Sequence, residues 1–177
     1  MNGMKPNQLL KIVNQINARV PSFLRGRVLS MAFNSQIKYA GTTGIAIQTW
    51  SKDEAVVKLK NRWRIQNHLK GVHATAMATL AESATGMVFG VHVPDSHLPV
   101  LKSMKIHFTK RAKGELQAVA SITEDQIRAI QTTPKGAAII NVKVTDEDGK
   151  EPISCEMEWA WTTKRPEKEP RATPTEQ

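Results

Sequence analysis

The chain has 177 residues, 40% hydrophobic and 23% charged, a balance that suits one globular domain with appendages. Its 25 basic and 16 acidic residues leave a net charge of +9, so the surface attracts anions. Only 5% of residues are aromatic, and neither a ribonucleoprotein-type aromatic motif nor a recognition-helix signature is present, which excludes specific nucleic-acid binding. A single cysteine, Cys155, rules out an internal disulfide and points to a reducing cytoplasm.

Leu9, Ile12, Val13 and Ile16 recur at helical spacing, which predicts an amphipathic helix from Met4 to Val20. Asn14, Gln15 and Asn17 interrupt any signal-peptide core there. Pro21 breaks that helix. Ser22 can cap a second one, with Phe23, Leu24, Val28, Leu29 and Phe33 on its apolar face. Residues 1–34 therefore read as a helical extension. Residues 36–40 and 44–50 read as strand, interrupted by Gly41 and Gly44. Residues 54–60 alternate, with Val57 and Leu59 opposite Lys58 and Lys60.

Between Lys70 and Lys102 there is no lysine or arginine, and the only carboxylates are Glu82 and Asp95. The segment from about Val72 to Phe89 predicts a helix that is apolar nearly all round, capped by Gly90 and stopped by Pro94. It is too rich in Ala, Thr and Gly, and carries Glu82 too near its centre, to span a membrane. Beyond it, Met104, Ile106 and Phe108 alternate with Lys105, His107 and Thr109. A strand over 115–122 follows, then a short helix opening at Thr123. Two further strands flank the Asp148-Gly149 turn, and Ile153, Cys155, Met157, Trp159 and Trp161 share one face of the last. The proline-rich tail, 164–177, predicts disorder. The body, 35–163, is an α+β domain in which a curved antiparallel sheet of five to six strands wraps one central helix.

That order, with the motif Asn67, Gly71, His73 and Leu80-Ala81-Glu82, resembles the hotdog-fold acyl-CoA thioesterases. Within them it is most similar to the phenylacetate-pathway branch, and also to hotdog domains of unassigned activity. The resemblance implies hydrolysis of an acyl-CoA, with coenzyme A as part of the substrate and no separate cofactor. It implies a homodimer, extending to a dimer of dimers. Catalytic roles fall on Glu82, Asn67, Gly71 and His73. Thr79 and Ser83 are expected beside the substrate, and Lys110, Arg111 and Lys113 beside the coenzyme A phosphates. Where the family carries His-Gly-Gly, this chain has His73-Ala74-Thr75, which narrows the backbone's approach to a thioester. That departure motivates a second reading, a non-catalytic hotdog protein that binds an acyl ligand. A hydratase reading would pair His68 with Glu82, but the Pro-Gly-rich turn of those enzymes is missing.

A carboxylate in an apolar helix should have a raised pKa, as a general base or nucleophile requires. Unpaired N–H groups at the helix start suit a developing oxyanion. Nine residues at about 1.5 Å each place Glu82 roughly 13–14 Å from His73, beyond the reach of one side chain. The two ends can serve one bond only if antiparallel helices of two subunits meet across a two-fold axis. Cys155 has no histidine partner in sequence, and no Cys/His spacing suggests a metal.

Overall fold

The computed structural model describes residues 6–164, so the predicted disordered tail lies outside the described residues except for Lys164. The centre is α4, Ala74–Gly90, in which twelve of seventeen residues are buried. A helix so apolar must be covered on every side. Six antiparallel strands cover most of it. They are β1 (Ala46–Trp50), β2 (Glu54–Leu59), β3 (His97–Phe108), β4 (Leu116–Ser121), β5 (Lys135–Thr145) and β6 (Ile153–Thr163). Their spatial order is β1-β2-β4-β5-β6-β3, and α4 packs on β2, β4, β5, β6 and β3. The last strand alternates as predicted: Ile153, Met157 and Trp161 are buried, while Glu156 and Glu158 pair with Lys105 and Lys102 on the opposite face.

The N-terminal helices cover what the sheet leaves. Asn7 caps α1 (Gln8–Arg19), and its amide Nδ2 also donates to the carbonyls of Gly90 and Val93 at the far end of α4. Helix α2 (Ser22–Gln36) lies on the edge strand β1. Ser30 Oγ accepts the Ile47 N–H, and Asn34 Nδ2 donates to the Ile45 carbonyl. These bonds occupy backbone groups that an edge strand would otherwise present to solvent.

Three expectations fail locally. The stretch 36–40 is not a strand: Lys38–Thr43 form the short helix α3, closed by Gly44 at φ 74°. Five alternating residues are too few to settle a period, and here the chain must fold back from α2 into β1. Gly41 permits that fold, since a Cβ there would lie 2.9 Å from the Asn34 carbonyl oxygen. Ser22 is the first helical residue of α2 and not its cap, which is Pro21. Phe23 turns to solvent, leaving Leu29 as the fully buried anchor. Gly90 ends α4 in helical conformation, and Val91 follows as the cap. The short helix α5 (Glu124–Thr132) opens at Thr123 as expected, with a reciprocal Thr123–Gln126 capping box.

Gly26 sets the approach of α2 to the sheet, because a Cβ there would come within 2.5 Å of the Ile47 carbonyl oxygen. Gly→Ala in a helix interior normally gains up to about 1 kcal/mol. Here the clash is with backbone and should cost about 1–3 kcal/mol. Gly26→Ala is therefore expected to lower Tm by about 2–8 °C in a thermal melt, whereas an unchanged or raised Tm would show that α2 is not held this close.

Candidate active site

The site begins in the loop before α4. Asn67 Oδ1 accepts the N–H groups of Leu69 (2.9 Å) and Gly71 (3.1 Å), and the Asn67 N–H donates to the Gly71 carbonyl (2.8 Å). Lys70 adopts a left-handed conformation, φ 60°, to complete this closed turn. Because both bonds use Oδ1, the side-chain amide is fixed in orientation, and Nδ2 has no partner among the described residues. Arg111 lies against the same loop, its Nη2 donating to the Leu69 carbonyl (3.1 Å).

His73 is the N-cap of α4. Its Nδ1 accepts the Thr75 N–H (3.2 Å) and lies 2.8 Å from Thr75 Oγ1. A nitrogen that accepts a backbone N–H carries no proton, so the ring proton of this tautomer sits on Nε2. The N–H groups of Gly71 and His73 are already engaged, with Asn67 Oδ1 and the Ile65 carbonyl. In the first turn, the Ala74 N–H has no partner among the described residues. Beside this helix start is an open hollow of about 620 Å³ lined by Tyr39, Trp63, Arg64, His73 and Thr75. Trp63 is 84% exposed.

Glu82 lies two and a half turns further along α4. It is half-buried, with no hydrogen-bond or ion-pair partner among the described residues, and burial pushes its carboxyl above the ordinary carboxylate range. It faces a cavity of about 590 Å³ between α4 and the helices α1–α3. Thr79, Glu82, Ser83, Gly86, Met87 and Gly90 form the α4 wall, at spacings that place them on one helix face. Thr79 Oγ1 is committed to the Thr75 carbonyl (2.9 Å), whereas the buried Ser83 hydroxyl has no partner among the described residues. Gly86 makes room for Trp159, whose ring would lie 2.9 Å from a Cβ there and whose Nε1 donates to Thr85 Oγ1.

The structure thus sorts the predicted residues into two groups. Asn67, Gly71, His73 and Arg111 gather at the start of α4, with Lys110 exposed beside Arg111. Thr79, Glu82 and Ser83 gather on the cavity wall. Lys113 belongs to neither: its Nζ is 2.9 Å from Asp148, and that hydrogen bond raises its pKa. Sequence reasoning missed the contribution of α1–α3, because a cavity wall assembled from residues 9 to 40 has no local signature. It also missed Trp63, for which the flanking Arg62 and Arg64 were a usable signal of exposure.

Comparison with solved structures gives the same architecture at low identity. A Pseudomonas aeruginosa protein of unknown function, described as a probable thioesterase, matches with TM-score 0.70 and 20% identity, over 78% of this chain and 95% of that one. A thioesterase from Haemophilus influenzae matches with TM-score 0.61 and 11% identity, over 76% and 90%. A Pseudomonas aeruginosa thioesterase variant matches with TM-score 0.63 and 15% identity, over 76% and 94%. No curated protein matches the sequence significantly. The fold is the hotdog fold: one long helix wrapped by a six-stranded antiparallel sheet. The chain belongs to the family described as a domain of unknown function, DUF4442, whose model matches residues 25–161.

Cys155, on the apolar side of β6, has its thiol pushed up to about 11 by burial. At pH 8 its thiolate fraction should be about 100-fold below that of a thiol at its ordinary value of 9.0. Iodoacetamide is expected to label the folded chain about 100-fold more slowly than the urea-unfolded chain; equal rates would mean an accessible thiol.

Proposed function

We propose that this chain hydrolyses an acyl-CoA thioester at a site shared by two subunits. The observation that carries the reading is Glu82, a carboxylate without a partner, of raised pKa, on the wall of an apolar cavity within a hotdog fold. Glu82 takes a proton from a water molecule as that water attacks the thioester carbonyl. The tetrahedral intermediate expels the coenzyme A thiolate, which recovers the proton, and the products are a carboxylic acid and free coenzyme A. Fold neighbours described as thioesterases support this choice of reaction.

The oxyanion donors come from the start of the partner subunit's α4, since the rise of the helix sets Glu82 roughly 13–14 Å along the axis from His73 within one chain. The free donors there are Asn67 Nδ2 and the Ala74 N–H, next to Gly71 and His73. Two observations support the dimer. Strand β3, twelve residues long, pairs only with β6 and leaves its other edge without a strand among the described residues. Leu98, Val100, Met104 and Phe108 on it are exposed, and long apolar edges are rarely left bare. Pro99 of the same strand lines the Glu82 cavity, so a chain pairing along this edge would reach the site. Lys110 and Arg111, beside the loop before α4, would hold the coenzyme A phosphates. The dimer-of-dimers assembly and the cytoplasmic setting remain part of this proposal; among the described residues no helix is long and apolar enough to cross a membrane.

The second reading, an acyl binder without turnover, is favoured by Ala74 and Thr75 standing where the thioesterases carry glycines. Calorimetric binding of an acyl-CoA with no hydrolysis would select it.

Steady-state hydrolysis of an acyl-CoA panel tests the first reading. Glu82→Gln is expected to lower kcat by about 10²–10⁴-fold, and Asn67→Ala by about 10–10³-fold. Unchanged rates in both variants would remove these residues from the mechanism. Because Glu82 acts deprotonated and its pKa is raised, kcat/KM should fall on acidification through a limb above 4.5 that Glu82→Gln lacks. The same shift makes the ionised carboxylate unfavourable in the folded state. Its stabilising proton is bound below the unfolded-state pKa and lost as pH rises through the folded-state pKa. Glu82→Gln should therefore melt higher than the parent at pH 7, and the gap should close toward pH 4; a lower Tm at pH 7 would attribute lost activity to unfolding.

A further inference from the structure

We infer that the chamber between α4 and the N-terminal helices is the acyl-chain compartment, and that it selects a long, linear aliphatic acyl group. The inference rests on the thioester reading for the head of the ligand, but the chamber stands on its own geometry. Ligand sites are concave, mostly apolar and few per protein, and this partly open apolar hollow of about 590 Å³ between α4 and α1–α3 has that character. At roughly 30 Å³ per water-sized group, it holds on the order of 15–20 carbon-sized groups.

Helix α1 forms the roof. It is pinned at both ends, by Asn7 to the Gly90 and Val93 carbonyls and by Asn17 Nδ2 to the Trp50 carbonyl (2.9 Å). Between the pins, Leu9, Ile12, Val13 and Ile16 line the chamber, yet only Val13 is fully buried and Ile12 is half exposed. An apolar helix face held in place but left unfilled is a surface awaiting a hydrocarbon. Leu29 and Phe33 of α2 add two more apolar walls.

The polar lining groups are few, and Tyr39 of α3 is among them. Thr79, Glu82 and Ser83 cluster on α4, while Ser35 and Gln36 are exposed on α2. A sugar, nucleotide or peptide would find too few hydrogen-bond partners along the apolar walls. An acyl chain needs none there, and its carbonyl carbon can end beside Glu82. The chain therefore runs from the Thr79–Ser83 wall past Gly86 and Gly90 toward Leu9. Trp159 fills the space beside Gly86 and forms that part of the wall, and Leu9 closes on Gly90, 3.4 Å from where a Cβ would stand.

Titration calorimetry on Glu82→Gln with acetyl-, octanoyl- and lauroyl-CoA tests this without turnover. Affinity is expected to rise about threefold to fourfold per methylene until the chamber fills, making lauroyl-CoA at least 100-fold tighter than acetyl-CoA. Ala32→Trp, which puts an indole into the chamber, should bring lauroyl-CoA back to within about tenfold of acetyl-CoA and leave acetyl-CoA unchanged. If Ala32→Trp does not fold, Ile12→Asp on the half-exposed roof should weaken lauroyl-CoA by 10-fold or more and spare acetyl-CoA. Affinity independent of chain length, or folded variants that bind lauroyl-CoA as tightly as Glu82→Gln alone, would overturn the compartment. Length-dependent binding by a parent chain that hydrolyses none of the three esters would keep the compartment and sink the thioesterase. Hydrolysis without any length dependence would do the reverse.

Discussion

The structure depends on how α4 is covered. Leu80, Ala81, Ala84, Val88 and Phe89 are completely buried, and no single sheet can shield a cylinder on all sides. The curved sheet takes the larger arc and the N-terminal helices the remainder. The wall that both layers leave open carries Thr79, Glu82, Ser83, Gly86 and Gly90, with Met87 its one large apolar α4 side chain. A carboxylate can persist there because the wall is not packed. On the faces that meet the sheet, the same group would be buried against aliphatic side chains with nothing to pair with, a state that costs several kcal/mol.

The two edges of the sheet are treated in opposite ways. At β1, Ser30 and Asn34 of α2 and Asn17 of α1 take up backbone groups of the strand, and Gly26 lets α2 settle onto it. At β3 the chain supplies no such cover among the described residues, although this strand is more than twice as long and carries exposed Met104 and Phe108. The chain caps one edge with its own side chains and leaves the longer, more apolar edge with backbone groups free to pair. That asymmetry also bears on chemistry, since the open edge contributes Pro99 to the cavity and the closed edge holds the helices that roof it.

Much of this was legible in the sequence because it is periodic or locally encoded. The lysine- and arginine-free run announced α4, the alternation of Val57, Leu59, Met157 and Trp161 announced their strands, and Thr123 marked the start of α5. What failed was either short or long-range. Ile37 and Tyr39 alternate like a strand over too few residues, and the need to return from α2 to β1 overrode that weak preference. Phe23 fits an amphipathic pattern but sits where no element lies against it. The chamber could not be foreseen, because it exists only once residues 9, 33 and 86, distant in sequence, face one another. Asn67 was singled out in the sequence only through a motif, and its turn, and hence which of its side-chain atoms remains free, required the hydrogen bonds.

The placement of charge then ties the two halves of the site together. Arg64, Lys70, Lys110 and Arg111 surround the start of α4, where the helix dipole is also positive. The chamber beside Glu82 contains no cation to draw an anion inward, and its carboxylate repels one. A ligand carrying phosphates is attracted to the first region and excluded from the second, while a hydrocarbon has the opposite preference. An amphiphile with an anionic carrier at one end and an alkyl chain at the other satisfies both only with its junction between them. In the acyl-CoA proposed above that junction is the thioester, and the proposed dimer would set it between Glu82 of one chain and Asn67 of the other.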